Sequence, residues 1–114
     1  MPTEHPLRIY IAGPMTGYPN WNFPAFDAAA KQIREAGFEA ASPAELFDHT
    51  DRPWLFYMRA ALTQMLTCDA VFALRGWRAS RGAAIEIELA RQLGLAVLEQ
   101  EVTPFLTPTV LKAL

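Results

Sequence analysis

The stretch AVFALRGWRASRGAAIEIELARQLG, residues 70–94, predicts a buried strand, a loop and a helix in immediate succession. Its first five residues are all apolar, which is typical of a fully buried strand. Ser80 is a favourable N-cap residue, and Gly94 is placed to end the helix as a C′ residue. In an open α/β sheet, ligands bind beyond the carboxyl ends of the strands and against helix N-termini. The turn into this helix, which carries Glu86, is therefore the first candidate for a functional site.

Strands and helices alternate through the rest of the chain. Strands are predicted over residues 7–12, 38–41 and 95–98, and a short closing helix over residues 110–114. Apolar residues at helical spacing predict three longer helices, the second of them over residues 54–67. These residues are Phe26, Ala29, Ala30 and Ile33 in the first helix, Leu55, Met58, Leu62, Met65 and Leu66 in the second, and Ile85, Leu89 and Leu93 in the third.

This order of elements predicts the fold class. The succession β-α-β-α-β-α-β implies a parallel sheet with right-handed crossovers. We expect a small doubly wound sheet of about four to five strands with helices on both faces, which is a flavodoxin-like or Rossmann-like α/β fold. With 114 residues the chain is long enough for one core, so we expect a single domain over residues 1–114.

Composition excludes several classes of function. The formal charge of −2 provides no broad basic surface, which argues against duplex nucleic acid as a partner. The single cysteine cannot form an internal disulfide, and no zinc-type spacing is present, so we expect a reducing, cytoplasmic location. No apolar run is long enough to span a bilayer, and residues 1–7 lack the apolar stretch of a signal peptide. We therefore expect a soluble domain without a membrane partner.

The loop before the Glu86 helix is rich in arginine. Arg75, Arg78 and Arg81 fall within seven residues of an otherwise slightly acidic chain. The guanidinium group binds two phosphate oxygens at once, and a helix N-terminus also favours an anion. Ser80 adds a hydroxyl donor, and Gly82 lets a substrate approach the helix start. A phosphate site is one interpretation; arginines solvated on a surface loop are the other.

Glu86 itself has two interpretations. It is two residues from Glu88, so the two side chains cannot face the same way on a helix. Near a helix N-terminus, the dipole is expected to keep the Glu86 carboxylate ionised at neutral pH. An ionised carboxylate suits a nucleophile or a stabiliser of an oxocarbenium-like centre, and suits a general acid less well. The alternative is a structural, helix-capping glutamate.

A glycine-rich loop follows the first strand. The residues of this loop are Gly13, Pro14, Met15, Thr16 and Gly17. They match neither a dinucleotide fingerprint nor a P-loop, so a tight structural turn is favoured over a phosphate loop. Tyr18 and Trp21 come next and either stack on a base or cover a sheet edge or subunit contact. Asn22 is a candidate cap for the first helix, with Pro24 in its first turn and Gly37 at its end.

Polar residues elsewhere have structural interpretations. Asp48, His49 and Asp51 lie close together, but no second histidine is near, so we expect no metal; their segment is a loop over the site or plain surface. Cys68 is expected to be a small buried side chain, and Asp69 to orient a backbone turn. No cofactor is expected.

Three motifs together resemble the nucleoside 2-deoxyribosyltransferase-like superfamily. They are IYIAGP at residues 9–14, CDAV at residues 68–71 and SRGAAIE at residues 80–86. Small phage and bacterial domains of this group, mostly without an assigned function, carry a similar AGPMTG start and GW..SRGA..E loop. The resemblance covers residues 7–98.

The resemblance implies cleavage of the N-glycosidic bond between a base and a sugar. Glu86 falls on the position of the nucleophile, and Tyr10 matches a tyrosine that positions the glutamate or the sugar. Ser80 stands where nucleoside 5′-monophosphate N-hydrolases have a serine that contacts the phosphate, which favours a nucleotide over a free nucleoside as the small-molecule partner. The substrate-binding or phosphate-binding residues expected here are Gly13, Pro14, Met15, Gly17, Gly76, Trp77, Ser80, Arg81 and Gly82.

One departure from the superfamily pattern concerns the leaving base. An aspartate usually stands eight residues before Asp69, where this chain has Ala61. Three explanations are open. Asp48, His49 or Asp51 takes the role of this aspartate, or the leaving base departs with less assistance from an acid, or the domain binds a nucleotide without cleaving it. Arg75 also stands where close relatives often have proline.

We expect the protein to form a homo-oligomer. Relatives form dimers or larger homo-oligomers in which a neighbour completes the site, and this resemblance implies the same here. Tyr18, Trp21 and Trp77 are the aromatic residues that we expect to be exposed for association.

Overall fold

The computed structural model describes residues 7–46 and 52–114, which form four strands, four helices and three short 3₁₀ turns. The strands are β1 (Arg8–Ala12), β2 (Glu39–Ala41), β3 (Ala70–Ala73) and β4 (Ala96–Glu99). The helices are α1 (Phe23–Glu35), α2 (Trp54–Met65), α3 (Arg81–Gln92) and α4 (Pro108–Lys112). The 3₁₀ turns are Pro19–Asn22, Pro43–Glu45 and Trp77–Ala79. No helix within the described ranges is long and apolar enough to cross a membrane.

The four strands form one parallel sheet in the order β2-β1-β3-β4. Tyr10 in β1 pairs with Ala41 of β2 on one side and with Val71 of β3 on the other. The chain moves outward from β1 to β2 and then crosses back to β3, so the strand order reverses between β1 and β3. Such a reversal opens a crevice at the carboxyl ends of the two strands. The predicted doubly wound α/β fold is confirmed, with four strands.

Helices cover both faces of the sheet, as predicted. On one face, α1 and α4 pack on the side chains of Ile9, Ile11 and Phe72. On the other face, α2 and α3 pack on Tyr10 and Val71. All four residues of β3 are buried, which explains its continuous apolar sequence. Each large apolar side chain buried in this way contributes about 1.5–3 kcal/mol relative to an exposed one.

The apolar pattern located α2 and α3 correctly but indicated the buried faces only in part. In α3 the buried residues are Ala83, Glu86, Ile87 and Ala90. Ile85 and Leu93, which belong to the predicted stripe, are 40% and 53% exposed. Alanines and Ile87 form the face of α3 that packs on the sheet, and Ile85 lies on another face. Likewise, Leu55 in α2 and Leu66 just after it are exposed, whereas Met58 and Met65 are buried.

Asn22 occupies the N-cap position of α1, as predicted, but it does not make the expected capping hydrogen bond. Asn22 has a left-handed backbone conformation (φ 61°) and its side chain accepts no hydrogen bond from the helix. Instead, its amide Nδ2 donates to the carbonyl oxygen of Pro14 at 2.9 Å, which ties the start of α1 to the loop after β1. Asn20 and Trp21 share the left-handed conformation (φ 52° and 55°). Asn22 therefore stabilises a contact between two loops.

Cys68 and Asp69 have the structural roles that their sequence context predicts. Cys68 is buried. Asp69 accepts a hydrogen bond from the backbone N–H of Arg8 at 2.8 Å and so fixes the entry into β1 against the entry into β3.

Candidate active site

A cavity of about 680 Å³ opens at the carboxyl ends of β1 and β3, where the strand order reverses. The loop after β1, the loop after β3, the start of α3 and one face of α2 supply most of its walls. Its size lies within the usual range for small-molecule sites. The fold thus places a concave site where an open α/β sheet is expected to bind a ligand.

Glu86 lies at this cavity and is only 5% exposed. It is the sixth residue of α3, which begins at Arg81, and the helix presents it toward β1. The Tyr10 hydroxyl, which is fully buried on β1, donates a hydrogen bond to Oε2 of Glu86. Two residues that are 76 positions apart in sequence therefore form one buried polar pair.

Burial changes the protonation of this pair. Desolvation raises the pKa of Glu86 to about 7, and the hydrogen bond from Tyr10 opposes that rise. The expectation that the helix dipole keeps Glu86 ionised is therefore wrong. The dipole acts mainly within the first turn, and Glu86 lies beyond it, so desolvation is the larger effect. The pKa of Tyr10 is raised well above its usual value by burial and by Glu86, so Tyr10 remains a hydrogen-bond donor.

A pKa of about 7 gives Glu86 both protonation states near neutral pH. The ionised form is a desolvated nucleophile, and the protonated form can donate a proton. Desolvation makes the ionised form more reactive than a carboxylate in water, because no hydration shell has to be removed.

Tyr10→Phe is expected to raise the pKa of Glu86 further, because the hydrogen bond that lowers this pKa is removed. The carboxyl carbon of Glu86, labelled with ¹³C and followed by NMR from pH 4 to pH 10, reports this pKa directly without substrate. Tyr18→Phe is the matched control, since Tyr18 also lines the cavity but is 44% exposed. An unchanged titration of Glu86 in Tyr10→Phe would contradict the assigned role of the hydroxyl.

Ser80 and Arg81 form the polar side of the cavity, at the start of α3. The Ser80 hydroxyl accepts a hydrogen bond from the backbone N–H of Ala83 at 3.3 Å, which confirms the predicted N-cap. The Arg81 guanidinium lies 4.2 Å from the ring centroid of Trp54 at the start of α2. The positive charge of Arg81 is thus held beside the helix N-terminus by a cation–π contact.

The other two arginines of the predicted phosphate site do not line the cavity. Arg78 forms ion pairs with Glu99 at 2.7 Å and with Glu101 at 3.6 Å. At Arg75 the backbone N–H donates to Oε1 of Gln100. The arginine-rich loop therefore supplies one cation to the cavity. Arg52, which the sequence did not single out, is a second cation at the lining.

Two predicted binding residues also lie outside the cavity lining. Trp77 is buried (7% exposed), and its indole N–H donates to Oε1 of Glu99 at 3.1 Å. Gly17 has a left-handed conformation (φ 85°) in the turn before α1. The expectation of an exposed Trp77 is wrong, because its ring belongs to the buried core cluster that includes Ala83 and Ile87 of α3. The predicted site residues that do line the cavity are Tyr10, Gly13, Pro14, Met15, Gly76, Ser80, Arg81, Gly82 and Glu86.

Neighbouring side chains leave little room for a Cβ atom at Gly82 and Gly13. A Cβ atom on Gly82 would lie 3.3 Å from Sδ of Met58 and 3.8 Å from Trp54, so α2 packs closely against Gly82 at the wall of the cavity. A Cβ on Gly13 would lie 2.8 Å from the Leu74 side chain. Both glycines allow neighbouring elements to approach closely at the edge of the cavity.

Aromatic residues line much of the remaining wall. Tyr18 and Trp21 are 44% and 54% exposed, and both face the cavity, where they can stack on an aromatic ligand. The sequence did not single out the other aromatic members of the lining, which are Phe23, Trp54 and Tyr57.

Ala61 also lines the cavity, on the inner face of α2. Trp54, Met58 and Ala61 are at helical spacing, so the sequence could have predicted that they lie on the same face of α2 and form one wall. The wall is therefore apolar at the position where the superfamily pattern has an aspartate.

Asp48, His49 and Asp51, the candidate replacements for that aspartate, lie outside the described residues. Within residues 7–46 and 52–114, no three His, Cys, Asp or Glu side chains are grouped so that they could hold a metal ion.

Comparison with known proteins places the chain in a family and identifies similar structures. A family model described as "Domain of unknown function (DUF4406)" matches residues 7–99. None of the curated proteins that were compared matches the chain. A 2-deoxyribosyltransferase from Leishmania mexicana is 22% identical with a TM-score of 0.65; the match covers 82% of this chain and 63% of that one.

Two further structures are similar. A 2-deoxyribosyltransferase from Bacillus psychrosaccharolyticus is 21% identical with a TM-score of 0.63, and the match covers 81% of this chain and 70% of that one. A conserved protein from Enterococcus faecalis V583 is 24% identical with a TM-score of 0.62, and the match covers 82% and 62%. The chain thus spans less than two thirds of the Leishmania and Enterococcus proteins. The predicted resemblance to the nucleoside 2-deoxyribosyltransferase-like superfamily is confirmed at the level of the fold.

Proposed function

The chain belongs to the DUF4406 family, and we propose that its cavity binds a nucleoside 5′-phosphate or a related ribosyl compound and cleaves the bond between base and sugar. The observation that carries this proposal is the buried pair of Glu86 and Tyr10, beside a cavity whose rim holds Ser80 and Arg81. A buried carboxylate next to a cationic rim suits a substrate with an electrophilic carbon at one end and an anion at the other.

The proposed reaction starts with ionised Glu86. Its carboxylate attacks C1′ of the sugar, the C1′–N bond breaks, and the base departs with the electron pair of that bond. Water or an acceptor base then attacks C1′ of the glycosyl-enzyme and releases Glu86, with net retention of configuration. Tyr10 holds the carboxylate in position through its hydrogen bond to Oε2.

The rim of the cavity supports a phosphorylated substrate. The N-terminus of α3 favours an anion, and Ser80 and Arg81 lie beside it. Arg52 lies at the same lining and adds a second positive charge. The named activity of two of the similar structures, deoxyribosyl transfer, supports the same class of bond.

A second candidate function is nucleotide binding without cleavage. The observation that favours it is Ala61 in the cavity wall, since a missing proton donor typically costs about 10²–10⁴ in rate. A sensor or sequestering module would use the same rim and the same aromatic wall.

Base release from nucleoside 5′-monophosphates, 5′-diphosphates and free nucleosides, measured by chromatography, tests the proposal, and thermal shifts with the same compounds report binding. Release of a base with at least one nucleotide supports cleavage. A thermal shift without release supports the binding module, and neither signal overturns both ideas.

Ala61→Asp separates the two candidates further. If the natural domain has lost cleavage, the added carboxylate is expected to raise base release by about 10²-fold or more. If the natural domain already cleaves its substrate, Ala61→Asp is expected to change base release little or to lower it. Ala60→Asp is the matched control, because it places the same residue one position earlier on α2, outside the cavity lining.

We further propose that the protein is a homodimer or larger assembly in the cytoplasm. Leu55 of α2, Leu66 after α2 and Leu93 after α3 are 57%, 57% and 53% exposed, which supports association through the face of the sheet that α2 and α3 cover.

A further inference from the structure

The end of β4 holds the loop that separates β3 from α3. Glu99, the last residue of β4, accepts hydrogen bonds from the Trp77 indole N–H at 3.1 Å and from Arg78 Nη2 at 2.7 Å. Arg91 Nη2 of α3 lies 3.5 Å from its other carboxylate oxygen. The Glu99 side chain is only 19% exposed, so one half-buried carboxylate joins a strand, a loop and a helix.

Trp77 is the centre of this cluster. Its ring is 7% exposed, and the guanidinium groups of Arg78 and Arg91 lie 4.6 Å and 5.5 Å from its centroid. A buried indole N–H needs an acceptor, which Glu99 supplies. Glu101 pairs with Arg78 at 3.6 Å, so two carboxylates balance two guanidinium groups.

Gln100 fixes the other end of the same loop. Its side-chain Oε1 accepts the backbone N–H of Arg75 at 2.9 Å, and its own N–H donates to the carbonyl of Ala73 at 2.8 Å. Glu99 and Gln100, which are consecutive at the end of β4, therefore bind the middle and the beginning of the loop.

The side of the loop away from this cluster faces the cavity. Gly76, Ala79 and Ser80 line it, while Trp77 and Arg78 point toward Glu99. Within the loop, the Ser80 N–H donates to the Trp77 carbonyl at 3.1 Å. The position of the Ser80 hydroxyl is thus linked to the position of the Trp77 ring through one short turn.

We propose that Glu99 and Trp77 are positioning residues, which hold the loop over residues 75–80 so that Ser80 and the start of α3 bind the anionic end of the substrate. The inference rests on the proposed function for the identity of that anion. Single exposed ion pairs contribute little, but a shared, half-buried carboxylate with several donors acts as a network. The same pairing keeps Arg78 away from the substrate.

Glu99→Ala tests this role, with Glu99→Gln as the conservative variant and Glu88→Gln as the matched control, since Glu88 is exposed and its carboxylate bonds Gln92 within α3, outside the cluster. Amide hydrogen exchange at Ala79 and Ser80 is measured without ligand, and binding of inorganic phosphate is followed by NMR. In Glu99→Ala we expect about tenfold faster exchange at both amides and about tenfold weaker phosphate binding. Glu99→Gln, which retains an acceptor oxygen, is expected to be intermediate, and Glu88→Gln to match the wild type.

For a nucleotide that the wild type cleaves, KM is expected to rise about tenfold in Glu99→Ala while kcat changes by less than about threefold, since Glu86 itself is not displaced. If Glu99→Ala does not fold, Glu99→Gln and Gln100→Ala carry the exchange measurement. Unchanged exchange at Ala79 and Ser80 in the folded variants would overturn the proposal. That result is independent of base release, so a failure of the proposed reaction would be recognised separately.

Discussion

Glu86→Gln is expected to lower base release by about 10³-fold or more, while the affinity for the nucleotide changes by less than about threefold. Glutamine keeps the shape of the side chain and an oxygen that can accept the Tyr10 hydrogen bond. It cannot attack C1′, because the amide has no negative charge to form the glycosyl ester. The measurement is single-turnover base release by chromatography, with affinity taken from thermal shifts over a range of nucleotide concentrations.

The matched control for this experiment is Glu88→Gln. Glu88 is exposed on the same helix, and its carboxylate accepts a hydrogen bond from Gln92 at 2.8 Å. The charge change is identical but lies away from the cavity, so base release is expected to remain within about twofold of the wild type. Substantial base release by Glu86→Gln would exclude Glu86 as the nucleophile and leave it a role in binding or folding.

The fold could be predicted from the sequence because local patterns and the order of elements agree. The apolar run at Ala70–Ala73 is buried as predicted, and Ser80 caps α3 as predicted. The buried face of α3 could not be predicted in the same way. Two apolar stripes run along this helix, and only packing against the sheet selects the stripe with Ala83 and Ile87 over the stripe with Ile85.

From the residue patterns alone, the candidate site was predictable mainly where one chain segment supplies it, whereas Tyr10 was expected at the site only from the resemblance to a known superfamily. Ser80, Arg81 and Glu86 come from one strand–loop–helix unit, and the structure brings them to one cavity. Arg78 was misassigned because its partner Glu99 is 21 residues away, and no local pattern reports an ion pair at that separation. Trp54 was missed because its helical spacing with Met58 and Ala61 predicts only that the three share one face of α2, and packing decides that this face lines the cavity.

The protonation of Glu86 depends on burial, which sequence alone does not report. The position of Glu86 near the N-terminus of α3 predicted a carboxylate that the helix dipole keeps ionised. The structure shows instead a buried side chain that accepts one hydrogen bond from Tyr10, and this burial raises the pKa of Glu86 to about 7. Keeping a carboxylate in such an environment costs stability when it ionises, which is a common trade-off at active sites.

This cost leads to a second prediction for Glu86→Gln, which concerns stability. The pKa of Glu86 is about 7 in the folded state and is expected to return to its ordinary value of 4.5 on unfolding. The folded state therefore binds the proton more tightly, so this contribution to stability is complete below pH 4.5 and is lost as pH rises through about 7. The difference corresponds to about 3 kcal/mol. The glutamine variant does not ionise, so its free energy of unfolding is expected to equal that of the wild type near pH 4.5 and to exceed it by about 3 kcal/mol near pH 8.5.

Urea unfolding of both proteins at several pH values between 4.5 and 8.5 measures this difference, and every other titrating group cancels because the two chains share it. Glu88→Gln, measured in parallel, is expected to differ from the wild type by an amount that does not vary with pH. A pH-independent difference for Glu86→Gln would mean that Glu86 is solvated in the folded protein. In that case the desolvated nucleophile of the proposed reaction would be excluded, even if the glutamine variant were inactive. A variant that is both inactive and more stable at high pH is the combined result expected of a buried carboxylate retained for its reactivity.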